Sequence, residues 1–372
     1  AALDKLPGLG DEIGKEFLEK KNRTVQKGNY AYLIDYSDYN APGFLYYLQA
    51  RGLKVKTSAK PFVSTIDGKN RSFERGTLMV SVHDQRISSD SLHQTLVKAG
   101  SLFDIQVYPV QTGMTVDGNG LGSRSFIALE EPEVILLVGE GVSSSEAGEV
   151  WHLMEQRVKL PIVKMDLSDF SGADLSKYNN IVMVSGSYGR FGTAEIEKLK
   201  GWVGNGNTLI TVGTANTWII KNKLVNEILV ENKKDTVNEK RMDYGMSDGF
   251  TGRKKIGGAI FEVDLDVTHP LGFGYLERKL PVYKNNNVWL SPSKNVFSTV
   301  AQYSKDPHID GFITPENLEL MSKSASVIVS RIEKGRVVMF ADNPNFRGIW
   351  YGTNKLFTNA LMFGSIIRTS NN

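Results

Sequence analysis

Gly335-Arg336-Val337-Val338-Met339-Phe340-Ala341-Asp342-Asn343-Pro344-Asn345-Phe346-Arg347-Gly348-Ile349-Trp350-Tyr351-Gly352-Thr353-Asn354-Lys355-Leu356-Phe357 is the stretch that decides the fold. Its uninterrupted apolar run, 337–340, has the character of a parallel strand covered on both faces. The run gives way to a polar, aromatic loop, and the chain then enters its last helix. Strand, loop and helix make one βα unit of an open sheet. In such sheets the loops at the carboxyl ends of the strands are where ligands bind.

Working outward, the same unit recurs upstream. Val134-Ile-Leu-Leu-Val138 is a second continuous apolar run, Gly139-Glu140-Gly141 turns the chain, and Ser143 to Ser145 cap a helix reaching about 158. Strands at 162–165, 181–184 and 208–212 follow, with a helix at 193–203. The spacing predicts right-handed crossovers and a doubly wound parallel sheet, resumed at 259–263, 325–329 and 337–340. Residues 1–130 read as a smaller α/β module, with strands near 30–34, 53–57, 76–82 and 105–108 and helices at 38–50 and 89–99. Residues 131–372 form the second domain, with a mixed-charge insertion around 221–255 that reads as solvated surface.

Bulk composition narrows the function. The 372 residues carry a formal charge of +3, which gives no footprint for nucleic acid or an anionic membrane. No apolar run approaches the ~20 residues of a spanning helix. The absence of cysteine removes disulfides, thiolate metal sites and a cysteine nucleophile, and suits an exported bacterial protein as well as a cytosolic one. The first residues, Ala1-Ala2-Leu3-Asp4-Lys5-Leu6-Pro7, have no signal-peptide pattern and read like the interior of a longer chain.

Three blocks carry a family likeness: Gly148-Glu149-Val150-Trp151-His152-Leu153-Met154-Glu155-Gln156-Arg157, Asp266-Val267-Thr268-His269-Pro270-Leu271-Gly272-Phe273-Gly274-Tyr275, and the terminal stretch above. They resemble the region that follows the catalytic domain in a bacterial branch of the zinc carboxypeptidase family. Weaker likeness runs through Lys60-Pro61-Phe62 and Arg75-Gly76-Thr77-Leu78, so it covers nearly the whole chain. The family's zinc site, a His-x-x-Glu pair and a distant His, has no match here: His83 is followed by Asp-Gln-Arg. The terminal stretch also resembles a class I glutamine amidotransferase domain, which is flavodoxin-like. There the corresponding loop holds a catalytic His-Pro-Glu; here it reads Asn343-Pro344-Asn345.

Amidotransferase chemistry needs a nucleophile on a tight strand-to-helix turn, a histidine and an acid. In Gly213-Thr214-Ala215-Asn216-Thr217, Ala215 falls at the nucleophile position and Thr214 is adjacent, but Asn343 is no base. Gly186 resembles the glycine whose N–H stabilises the oxyanion; it marks either a relic turn or a site for an anion or carbonyl. Ser185-Gly186-Ser187-Tyr188-Gly189 approximates a nucleophile elbow around Ser187, with Ser185 replacing its first glycine. Gly139-Glu140-Gly141 approximates a dinucleotide turn, but Glu140 opposes a pyrophosphate. Glu149 and His152 share a helix face and suit either a surface contact or half of a metal motif. Arg347 is placed to stack on Trp350 or grip a carboxylate.

The resemblance implies a non-catalytic accessory region, amidotransferase-like and exported to the periplasm or cell exterior. It would stabilise or dock an N-terminal peptidase domain absent from this chain, or help bind its peptide substrate. Zinc is expected only in that domain, and this chain is read as holding no metal or cofactor. Two alternatives stand beside it: a hydrolase using Ser187 or Thr214 with His269, and a small-ligand module centred on Arg347 and Trp350, with Gly186, Ser187 and Asn343 at the strand ends.

Overall fold

The computed structural model describes residue 14, residues 25–230 and residues 242–368. The opening segment 1–7 and the centre of the charged insertion lie outside the described residues. Two compact units divide the chain, Ala1–Ala128 and Leu129–Asn372.

In the first unit, β1 (Ala31–Ile34), β2 (Lys56–Ser58), β5 (Leu78–Ser81), β6 (Val107–Val110) and β7 (Phe126–Ala128) form one sheet in the order β6-β1-β5-β2-β7. All its pairs are antiparallel. Helices α1 (Ala41–Gln49) and α2 (Ser89–Phe103) belong to the same unit. Ser88 caps α2 by accepting the Ser91 N–H. The helix runs past Gly100, whose lack of a side chain lets the Ile105 carbonyl approach. A hairpin, β3 (Phe62–Ile66) and β4 (Lys69–Phe73), is an addition to the sequence reading. Its Asp67-Gly68 turn has positive φ at both residues, 48° and 74°, as tight hairpins require.

Among its described residues the second unit carries nine strands: β8 (Val134–Val138), β9 (Val163–Asp166), β10 (Asn180–Met183), β11 (Thr208–Val212), β12 (Ala259–Leu265), β13 (Lys279–Lys284), β14 (Thr299–Gly311), β15 (Ala325–Ile332) and β16 (Gly335–Phe340). Their spatial order is β13-β12-β14-β15-β16-β11-β10-β8-β9. Five of them, β9-β8-β10-β11-β16, pair in parallel. Counted by appearance, that block has the order 2-1-3-4-5, so the chain reverses direction of travel between β8 and β10. Ligands bind at such a reversal in open α/β sheets.

The rest of the sheet differs from the expectation. β12 and β15 are antiparallel to their neighbours rather than members of the parallel block, and β13 and β14 join them. Pro281 sits in β13, the edge strand, where a missing N–H is tolerated. Much of β14 is exposed and carries Lys305, Asp306, His308 and Asp310, so it lacks the apolar run that marks a covered strand.

Helices α3 (Ser144–His152), α4 (Thr193–Gly204), α5 (Thr214–Lys221), α6 (Ser247–Arg253), α7 (Pro315–Ser322) and α8 (Tyr351–Phe363) complete the unit. α3 continues into a π-helical turn, Leu153–Val158. Every residue of α8 from Thr353 to Phe363 is buried, the polar Asn354, Lys355, Thr358 and Asn359 included. The core gathers Ile135, Leu137, Phe170, Met183, Leu209, Val337 and Met339 around the parallel strands.

Candidate functional site

The carboxyl ends of β8, β10, β11 and β16 bring four loops together. Gly213 turns the chain from β11 into α5 with φ 55° and ψ −124°. This strained strand-to-helix turn is the kind of position that presents a nucleophile. Ala215 is therefore not the nucleophile position: it lies buried in the first turn of α5, two residues beyond the strain. A Cβ built on Gly213 would stand 2.2 Å from Ser185 Oγ and 3.8 Å from Asn286 Nδ2. The space of a nucleophile's side chain is taken by the Ser185 hydroxyl.

Ser185 is fixed from three sides. Its N–H donates to Glu146 Oε2 at 2.9 Å, its carbonyl accepts the Ser143 N–H at 2.8 Å, and its Oγ accepts the Thr214 N–H at 3.2 Å. Burial pushes the Glu146 carboxyl above the ordinary carboxylate range, partly offset by the bonds from Ser185. Gly213→Ala is expected to cost about 1–3 kcal/mol through backbone strain and this clash. Ser185→Gly in the same chain should recover part of it, as read by urea denaturation.

The Gly186 N–H, the donor assigned to an oxyanion, instead donates to Thr214 Oγ1 at 3.0 Å. Ser187 donates its N–H to the Gly141 carbonyl at 2.9 Å, and its Oγ lies 2.5 Å from where a Cβ on Gly141 would be. Gly139 and Gly141, at φ 116° and 83°, are explained by this tight turn, and Glu140 faces Arg190 at 3.5 Å. His269 is brought to neither hydroxyl. Its Nδ1 accepts the Leu271 N–H at 3.2 Å, in a turn tied to α8 by Asn359, which donates to the Leu271 and Phe273 carbonyls. His308 likewise bonds within its own strand end, at the Gly311 carbonyl.

Burial pulls His269 down to about 4, against the opposing pull of Asp266. An unfolded histidine titrates near 6.5, so the unfolded chain takes up this proton first as pH falls. Stability is then full above about pH 6.5 and is lost progressively towards pH 4, by about 3 kcal/mol at most. His269→Asn should remove that component from a stability profile measured between pH 7 and 4.

The terminal loop is anchored by Glu149. Its Oε2 accepts from Asn343 Nδ2 at 2.6 Å and its Oε1 from the Arg347 N–H at 2.7 Å. His152, one turn along α3, stands beside Gly348. Arg347 does not stack on Trp350. Its guanidinium lies 5.3 Å from the Phe346 ring centre, while Trp350 leans on Tyr283 at 6.1 Å and Tyr283 stacks on Phe346 at 3.8 Å. Trp350 Nε1 and Asn345 Nδ2 are buried without an acceptor. Nothing in the sequence reading pointed to Tyr283, Glu146 or Asn286.

Beneath the loop lies a buried charge cluster that sequence reasoning missed. Lys284 is fully buried; its Nζ donates to Asp342 Oδ1 at 3.1 Å and to the Val288 carbonyl at 2.9 Å. Tyr303 and Ser326 hydroxyls also donate to Asp342. Burial pulls the Lys284 ammonium below its ordinary range against the attraction of Asp342, and pushes Tyr303 up. The network satisfies both charges and fixes the backbone immediately before Asn343. Among the described residues no group of three or more His, Asp or Glu is placed to hold a metal ion, and no helix is long and apolar enough to cross a membrane.

No family model matches the chain, and no curated protein matches it. Among solved structures it is similar to a ThuA-like protein from Parabacteroides merdae, at 12% identity over 64% of this chain and 93% of that one, with a TM-score of 0.42. It is also similar to an exo-β-1,4-mannosidase from Opitutaceae bacterium strain TAV5, at 13% identity over 64% of this chain and 37% of the mannosidase, with a TM-score of 0.36. A cytoplasmic protein from Salmonella typhimurium matches at 12% identity over 64% of this chain and 100% of that one, with a TM-score of 0.36. At these scores none of the three lends this chain an activity.

Proposed function

We propose that the second unit is a flavodoxin-like, class I glutamine amidotransferase-like domain that acts without catalysis. In this reading the chain is an accessory region of an exported zinc carboxypeptidase-family protein. It stabilises or docks the peptidase domain, or helps that domain hold its peptide substrate. The observation that supports it most is Gly213: the strained turn carries no side chain, and the Ser185 hydroxyl fills the space one would need. Asn343 in place of a base, held by Glu149, agrees with it. The 2-1-3-4-5 order of the parallel block agrees with the flavodoxin-like assignment.

The test compares this chain with a longer native chain carrying a peptidase domain, by zinc content and release of carboxy-terminal residues. The accessory role requires the long form to bind zinc and cleave, and the separated parts to associate. A peptidase domain that is equally stable and active without this chain would contradict it.

A second reading, a small-ligand site at Arg347 and Trp350, is favoured by the two buried donors without acceptors, Trp350 Nε1 and Asn345 Nδ2. A small carboxylate or sugar would supply the missing acceptors. Titration with acetate and with glucose, followed by tryptophan fluorescence, decides it: saturation lost in Asn345→Leu supports the site, and an unchanged spectrum removes it.

A further inference from the structure

The second unit's sheet ends in β13 on one side and β9 on the other, and the two edges are not alike. β13 carries Pro281, which blunts its edge by lacking an N–H. β9 has no proline and pairs with β8 alone among the described strands. Met165 stands opposite Leu137, and the Leu167 N–H reaches the Val138 carbonyl at 2.9 Å. Residues 163, 165 and 167 therefore turn their backbone groups towards β8, and Lys164 and Asp166 turn theirs outward. The Asp166 carbonyl accepts the Asp169 N–H at 3.0 Å and keeps a second lone pair. Such a row of outward groups is a template for another strand.

Lysine is a common guard of sheet edges, but Lys164 is drawn back from this one. Its ammonium lies over the Trp151 ring of α3, 3.4 Å from the centre. Trp151 and Val163 are each 42% exposed and flank the edge with apolar surface. Asp166, on the same face as Lys164, is an anion at neutral pH. Ser168 donates its N–H and its hydroxyl to Asp166 Oδ1, at 2.9 and 2.7 Å, which holds the carboxyl below its ordinary range and leaves Oδ2 for a cation.

We propose that β9 pairs with the β9 of a second copy of this chain, antiparallel and centred on Met165. Lys164 then stands opposite the partner's Asp166, and Asp166 opposite the partner's Lys164. Both members of each pair have outward backbone groups, so they exchange N–H···O=C bonds. The charges select this register. Centring on Lys164 sets two ammoniums face to face, and centring on Asp166 sets two carboxylates face to face, both unfavourable. The contact is the same patch on both copies, so it closes at two. This pairing requires nothing of the accessory role and stands if that role fails.

Sedimentation of the full chain from micromolar to near-millimolar concentration tests it. The mass should rise from one chain to two and stop there. Lys164→Pro removes an outward N–H, spares the bonds to β8, and should abolish the dimer while keeping the thermal midpoint. If that variant does not fold, the exposed Lys164→Glu, which sets like charges opposite each other twice, must weaken dimerisation about tenfold or more. The chain has no cysteine, so Met165→Cys should join two chains by one disulfide on oxidation, as seen on a non-reducing gel. A monomer at every concentration overturns the proposal, as does a dimer that Lys164→Pro and Lys164→Glu leave intact. A dimer that these changes weaken but Met165→Cys does not cross-link overturns the register centred on Met165.

Discussion

Gly335→Ala is expected to cost about 4 kcal/mol or more, enough to leave most of the chain unfolded or insoluble. Gly335 opens β16, and a Cβ there would lie 1.7 Å from the Val203 carbonyl oxygen and 2.6 Å from that of Asn207. Both obstacles are backbone, at the end of α4 and the approach to β11, so neither can swing aside as a side chain would. Accommodating a methyl group means parting α4 from the sheet. Soluble yield and urea denaturation read the effect. Gly148→Ala is the control: it lies within α3 with nothing within 4 Å of an added Cβ. It should be neutral or stabilise by up to about 1 kcal/mol.

Asp342→Ala should be the next most damaging change, at about 3–5 kcal/mol. It leaves the fully buried Lys284 ammonium without its counter-charge and strips the acceptor from Tyr303 and Ser326 together. Asp342→Asn keeps the shape and an acceptor and should cost less. A Lys284→Met/Asp342→Leu pair removes both charges, and its loss should be smaller than that of Asp342→Ala alone, because desolvated ions no longer need matching. Denaturant unfolding of the wild type and the three variants ranks these losses. If Asp342→Ala unfolds no more easily than wild type, the cluster does not hold the loop before Asn343.

The sequence disclosed the parallel half of the sheet and the places of β12 and β15, but not their antiparallel direction, nor β13 and β14. Val134–Val138 and Thr208–Val212 are buried at nearly every position, and burial on both faces writes itself as an apolar run. β14 hid because its exposed residues are charged, and β13 because Pro281 breaks the pattern of a strand. The Asp67-Gly68 hairpin went unread, although Asp-Gly between two short strands is a turn with a mechanism.

At the site, the loops could be placed from sequence but their bonding could not. Asn343 and Arg347 were visible as a loop after a strand, while their shared anchor Glu149 lies 194 and 198 residues away. Lys284 reads as a surface lysine until Asp342, 58 residues on, is brought beside it. Ala215 was placed at the nucleophile position because a positive φ leaves no mark in sequence beyond the glycine that permits it.

The central claim is that the strand-end turn of the second unit has no catalytic group. The most direct measurement is turnover by this chain itself, with glutamine, a p-nitrophenyl ester and a peptide as substrates. The account predicts no product above the buffer rate with any of them, and no change in Ser187→Ala or Thr214→Ala. Turnover that either substitution abolishes would contradict it and restore the hydrolase.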